Sequence, residues 1–207
     1  MDRPRDNRIT VVLFDYGGVL AEEGFREGLM AIGRANGLEP ERFFQIASDA
    51  VYDSGYVLGA GDEAAYWQML KQRTGIATIE EKMRAEILDR FVLRDWVLKA
   101  VRRVREKGCR TGILSDQTDW LDWLNDRDGF FREFDRVFNS YHIGLSKRDR
   151  ALFRYVVEMM AVPAESILFI DDNPGNVERA ASEGFRTIRY IDKDSFLRDM
   201  ESFGLWP

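Results

Sequence analysis

The sequence predicts an α/β fold: a doubly wound parallel sheet with a small α-helical domain inserted after its first strand. Three observations carry this. Near-continuous apolar runs at residues 9–14, 110–114 and 167–170 read as parallel strands buried on both faces. Helical patterns alternate with such runs in the second half of the chain, which implies parallel strands joined by right-handed crossovers. Between Leu20 and Lys107 no strand pattern occurs, only helical spacing.

The first strand runs from Ile9 to Phe14 and stops at Asp15, followed by Gly17 and Gly18. Phe25, Leu29 and Ile32 then recur at helical spacing up to Gly37. Pro40 suits a first helical position ahead of Phe43, Phe44 and Ile46. Asp62 is placed to cap a helix through Trp67 and Leu70 to Gly75, and Thr78-Ile79-Glu80-Glu81 has capping-box spacing before Met83, Ile87 and Phe91. Residues 22–93 therefore read as a helical bundle of their own. The α/β core is expected over 1–21 and 94–207.

Within that core, Val97, Ala100, Val101 and Val104 form a helix face ending at Gly108. A strand over Arg110–Leu114 stops at Ser115 and Asp116, and Thr118 caps a helix with Trp120, Leu121 and Leu124. Arg136–Asn139 is a third, short strand. Leu152, Tyr155, Val156 and Met159 give the next helix face. A fourth strand, Ile167–Ile170, stops at Asp171 and Asp172. Asn173 then reads as an N-cap with Pro174 in the first turn, and Gly184 ends that helix. Arg186–Tyr190 is the fifth strand, before a last helix over Ser195–Phe203.

Composition narrows the function. The 207 residues are 45% hydrophobic, enough for a packed core, and carry a formal charge of −6. That balance disfavours a broad nucleic-acid or anionic-membrane surface. One cysteine, Cys109, and one histidine, His142, leave no intramolecular disulfide, zinc cage or Cys-His dyad. The polar start Met1–Arg8 is no signal peptide, and no apolar run is long enough to span a membrane, so the expected location is cytoplasmic. Oligomeric state is not encoded in any pattern here.

Three strands thus end in polar groups: Asp15, Ser115-Asp116 and Asp171-Asp172. In an open parallel sheet these ends share one edge, where ligands bind. Carboxylates about 4 Å apart repel by roughly 4 kcal/mol per pair at a protein-like dielectric. Such a cluster needs a counter-cation or shared protons, and oxygen ligands without histidine favour a hard ion, Mg²⁺ first. The plainer alternative is that each acidic pair caps its own helix.

On these residues the chain resembles the haloacid dehalogenase-like hydrolase superfamily along nearly its whole length. Phe14-Asp15-Tyr16-Gly17-Gly18-Val19-Leu20 is similar to the first family motif, Leu114-Ser115-Asp116 to the second, Gly144-Leu145-Ser146-Lys147 to the third, and Ile167 to Asn176 to the fourth. The helical block matches the family's small cap. The resemblance implies a strand order 5-4-1-2-3 and a magnesium-dependent phosphatase acting on a small phosphorylated metabolite. Asp15 is then the nucleophile and forms an aspartyl-phosphate. The implied metal ligands are an Asp15 oxygen, the Gly17 carbonyl and Asp172, with Asp171 holding a water of the ion. Ser115 and the Asp116 N–H bind the phosphoryl group, and Lys147 offsets its charge.

Three departures stand out. The family's phosphatases carry a second, acid/base aspartate two residues after the nucleophile, and here that position is Gly17. Either the substrates have good leaving groups, as anomeric sugar phosphates do, or Glu22 or Glu23 stands in, or the protein is a non-catalytic binder of phosphorylated ligands or of a protein. The motif resembles a branch with sugar-1-phosphate phosphatase-like members, which favours activity. That branch often has asparagine at Asp116, and the family usually has proline at Arg148. A 2-haloacid dehalogenase is the other rival. Dehalogenases need no metal, so they have no reason to gather Asp171 and Asp172 against Asp15, and they place tyrosine where this chain has Gly17.

Other residues invite blander readings. Trp120 and Trp123 pack a helix on the sheet, or line a pocket. His142 reads as structural and Cys109 as a small buried hydrophobe. Arg26, Arg34 and Arg42 are cap arginines that either meet substrate or are solvated.

Overall fold

The computed structural model describes residues 8–206; the polar start, residues 1–7, and residue 207 lie outside them. Its centre is a five-stranded parallel sheet of β1 (Val11–Phe14), β2 (Arg110–Ser115), β3 (Arg136–Asn139), β4 (Ile167–Asp171) and β5 (Arg186–Arg189), in the order β3-β2-β1-β4-β5. This is the expected doubly wound topology, with β1 central. The three central strands, β1, β2 and β4, bury alternate residues in two interiors. Val12, Phe14, Ile113, Leu168 and Ile170 face one, and Val11, Leu13, Leu114, Ile167 and Phe169 face the other. That two-sided burial is why the strands read as unbroken apolar runs.

Register sets the site. Phe14 lies beside Ile113 on one side and Ile170 on the other. One residue further on, Asp15 donates its N–H to the Ile170 carbonyl at 2.9 Å. The polar ends of β1, β2 and β4 therefore emerge side by side.

Between β1 and β2 come α1 (Gly24–Ala35), α2 (Pro40–Asp53), α3 (Glu63–Thr74), α4 (Glu80–Leu88) and α5 (Asp95–Glu106). Helix α1 packs on α4 and α2. Gly28 allows the close α1–α4 approach, since a Cβ there would lie 2.7 Å from the Ile87 Cα. The helices of the segment pack on one another and also on the sheet. The segment's buried residues join the sheet's larger apolar cluster. Aromatic rings make the join: Trp67 lies 5.8 Å from Trp120, and Tyr16 lies 5.4 Å from Phe91 and 5.1 Å from Phe130. Sequence periodicity reports burial but not which partner provides it.

After β2 come α6 (Trp120–Asp128), the single-turn α7 (Ser140–Ile143), α8 (Arg150–Met160), α9 (Pro174–Ser182) and α10 (Lys193–Ser202). Asp62 and Asn173 cap as expected, Asn173 accepting from Gly175 N and Asn176 N. Thr78 does not form the expected capping box; its hydroxyl instead donates to Asn36 Oδ1 at 2.7 Å, and Ile79 occupies the cap position. Helix α10 starts earlier than expected because Asp192 forms the capping box with Ser195. Helix α8 buries Leu152, Phe153, Val156 and Met160, while Met159 is exposed, a rotation of the expected face by about one residue. Among the described residues no helix is long and apolar enough to cross a membrane.

Candidate active site

At the carboxyl edge of the sheet, carboxylate oxygens of Asp15, Asp171 and Asp172 all lie within 4.8 Å of one another. Each follows an apolar strand, so the position of each is fixed by the ladder beneath it. Asp15 Oδ1 accepts from the Tyr16 N–H at 2.7 Å and from the Ser115 hydroxyl at 2.7 Å. Lys147 Nζ lies 2.8 Å from Asp15 Oδ2 and 2.7 Å from Asp171 Oδ2. Asp171 is fully buried and accepts further from Asn173 N and Asn176 Nδ2. Both Asp171 oxygens are thereby engaged.

Asp172 differs. It lines the cavity and no side chain donates to it among the described residues. Gly18 makes room for it: φ is +79° there, and a Cβ would stand 2.5 Å from Asp172 Oδ2. Burial, then the neighbouring Asp171, raises the Asp172 carboxyl above the usual range. Burial raises Asp15 as well, against Lys147 and with Asp171 and Asp172. Burial pulls the Lys147 ammonium down, but Asp15, Asp171 and Asp116 outweigh it, and its pKa ends above normal. One fixed ammonium among three carboxylates leaves a net negative cluster of hard oxygens. That donor set fits a divalent cation such as Mg²⁺.

Asp116 is held by hydrogen bonds to both oxygens. Lys147 N–H donates to Oδ1 at 2.8 Å, and the Tyr52 hydroxyl of α2 donates to Oδ2 at 2.8 Å. The loop carrying Lys147 is fixed again by Arg179, whose Nε donates to the Lys147 carbonyl at 2.6 Å.

Glu22 and Glu23 point to different places. Arg94 holds both Glu22 oxygens, at 2.9 and 2.7 Å, and these bonds lower its pKa. Glu23 Oε1 caps α1 by accepting from Arg26 N at 3.0 Å, while Oε2 lies 3.0 Å from where a Cβ on Gly17 would stand. Burial raises the Glu23 carboxyl. The space beside Gly17 is therefore already occupied by a carboxyl group, supplied from six residues along the chain.

A cavity of about 510 Å³ opens over these groups, between the helical segment and the sheet edge. Asp15, Gly17, Glu23, Ser115, Asp116, Lys147 and Asp172 all line it. Trp120 lines it too, though it is almost wholly buried. Trp123 is away from it, exposed and stacked under Arg84. His142 is exposed and paired with Asp122 at 2.7 Å, also away from the cavity. Arg26 reaches the lining, but Arg34 and Arg42 do not and are exposed. Cys109 is half-buried at the opposite end of the sheet, where its Sγ donates to the Ile9 carbonyl. Sequence reasoning missed Tyr52, Arg94 and Arg179. Tyr52 and Arg94 act across the join between helices and sheet, which no local pattern reports.

A family model described as a haloacid dehalogenase-like hydrolase matches residues 9–184. Drimenol cyclase drtB of Aspergillus calidoustus is 42% identical over 67 residues, 32% of this chain and 13% of that protein. Bifunctional epoxide hydrolase 2 of Rattus norvegicus is 27% identical over 112 residues, 51% of this chain and 20% of that protein. The chain thus spans a fifth or less of these curated relatives. Among solved structures, the HAD family enzyme bt-2542 of Bacteroides thetaiotaomicron, in complex with magnesium and inorganic phosphate, superposes with a TM-score of 0.69 at 23% identity, covering 89% of this chain and 94% of that one. L-2-haloacid dehalogenase of Xanthobacter autotrophicus superposes with a TM-score of 0.66 at 19% identity, covering 96% and 85%.

Proposed function

The chain belongs to the haloacid dehalogenase-like hydrolases, and on that footing we propose that it is a Mg²⁺-dependent phosphatase of a small phosphorylated metabolite. The observation that carries the reading is the meeting of Asp15, Asp171 and Asp172 around a single ammonium, with Asp172 left without a side-chain donor. A carbon-directed dehalogenase gains nothing from that repulsion. A phosphatase gains a cation site beside its nucleophile. Asp15, the Gly17 carbonyl and Asp172 would hold Mg²⁺, with Asp171 behind them. The ion would screen the nucleophile from the dianionic phosphate and hold the two in line.

The chain's own groups do the rest. An Asp15 oxygen attacks phosphorus, the bond to the leaving oxygen breaks, and an aspartyl-phosphate forms. The Ser115 hydroxyl, now on Asp15, turns its proton to a phosphoryl oxygen, joined by the Asp116 N–H. Lys147 offsets the charge on the transferring group. Glu23 takes the place of the missing second aspartate: protonated at Oε2, it gives that proton to the leaving oxygen, and as carboxylate it then draws one from the water that attacks phosphorus, breaking the bond to Asp15 and releasing phosphate and the free carboxylate. Glu22, bound to Arg94, does not. The helices over residues 22–93 act as the cap that closes this chemistry from solvent.

Phosphate release from a panel of phosphorylated sugars and p-nitrophenyl phosphate tests the reading, with Asp15→Asn as control. Release that requires Mg²⁺ and Asp15 supports it. Release that ignores a chelator, or survives in the Asn variant, refutes it. Installing Gly17→Asp would not restore a lost acid cleanly, because Glu23 and Phe91 already crowd that position.

A further inference from the structure

Four cations line the cavity, and three are engaged. Arg26 pairs with Glu41 at 2.7 Å, Lys147 with Asp15 and Asp171, and Arg179 donates to the Lys147 carbonyl and to Asn176 Oδ1. Arg148 is the exception. Its guanidinium lies over the Tyr52 ring, Cζ 3.4 Å from the centroid, and no acceptor among the described residues takes any of its side-chain N–H groups. Stacking fixes the plane of a guanidinium and leaves its edge free for planar anions. Tyr52 is itself fixed by its hydrogen bond to Asp116. Two of the three departures from the motifs, Asp116 and Arg148, therefore converge on one tyrosine. Together they hold a cation at a set place on the cavity wall. The same cavity is also lined by the apolar side chains of Phe25, Phe44, Val51 and Val57.

We propose that Arg148 receives a second anionic group of the substrate, so that the substrate class is a phosphomonoester whose leaving group has an apolar body and a further negative charge. The inference deepens the phosphatase reading and rests on it for the word substrate, but its test needs no turnover. Benzylphosphonate, 4-(phosphonomethyl)benzoate and p-xylylenediphosphonate are titrated calorimetrically into the protein with Mg²⁺. A charge-assisted bond to Arg148 predicts that a second anion tightens binding about tenfold over benzylphosphonate. In Arg148→Met that preference falls to about twofold or less, and in Arg34→Met, outside the cavity, it persists. Preference for the benzoate assigns a carboxylate as the second anion, and preference for the diphosphonate alone assigns a phosphoryl group. No preference in the wild type, or a preference that survives in Arg148→Met, overturns the proposal. So does equal weakening of all three ligands in Arg148→Met, which would place Arg148 on the transferring phosphoryl group. Absence of phosphate release with the preference intact would sink the phosphatase reading alone.

Discussion

Lys147 and Asp15 form a buried ion pair, Nζ 2.8 Å from Oδ2, with side-chain exposures of 3% and 10%. The same ammonium bonds Asp171, whose side chain is wholly buried. Removing the lysine leaves two buried carboxylates without their cation. Lys147→Met is expected to cost about 3–5 kcal/mol of stability by denaturant titration. If the variant folds, its rate of phosphate release should fall by about 10²–10³.

Asp172 is expected to weaken the metal-free protein at neutral pH. Its pKa is raised from 3.8 in the fold, so the folded state holds that proton more tightly than the unfolded chain does. The stability linked to it is full below the unfolded value and is lost as pH rises through the raised one. Metal-free Asp172→Asn should therefore melt higher than the wild type at pH about 8, and the difference should vanish at pH about 4, near the ordinary carboxylate value. Added Mg²⁺ should raise the melting temperature of the wild type and not of the variant.

Glu23 should show its role through the leaving group. With an alkyl phosphate, Glu23→Gln is expected to lower kcat by about 10²–10⁴, the usual contribution of general acid catalysis. With p-nitrophenyl phosphate, whose leaving group needs little protonation, the loss in the first step should be far smaller. Glu22→Gln should change neither rate by more than about twofold, since its carboxylate is turned to Arg94.

Trp120 ties the helical segment to the sheet. It is 1% exposed and sits among the rings of Tyr56, Tyr66 and Trp67. Trp120→Ala should cost about 3–5 kcal/mol in equilibrium unfolding. A loss confined to the helical segment, with the sheet's transition unmoved, would show that the two parts do not share one interior.

The centre of the sheet was legible because β1, β2 and β4 are short, largely apolar and stopped by a polar residue at the same edge. Asp15, Ser115 and Asp172 were found for that reason, Lys147 only through the resemblance to the third family motif, and the structure brings all four to one cavity. What stayed hidden depends on tertiary partners. Thr78 has capping-box spacing, yet its hydroxyl is drawn to Asn36 on a neighbouring helix. Glu22 and Glu23 are equivalent acids in the sequence, and only the start of α1, which turns Glu23 inward as its cap, separates them. Tyr52 looks like one aromatic on one helix face until Asp116 and Arg148 are placed against it.

In turnover the phosphoryl group is expected to pass through a covalent bond to Asp15. This is tested most directly by acid quench of the protein during turnover of the best substrate in the panel, followed by borohydride reduction and peptide mass mapping. The account predicts reduction of a trapped aspartyl-phosphate at Asp15, dependent on Mg²⁺ and absent from Asp15→Asn. Turnover with no modified Asp15, or modification at another residue, would contradict it.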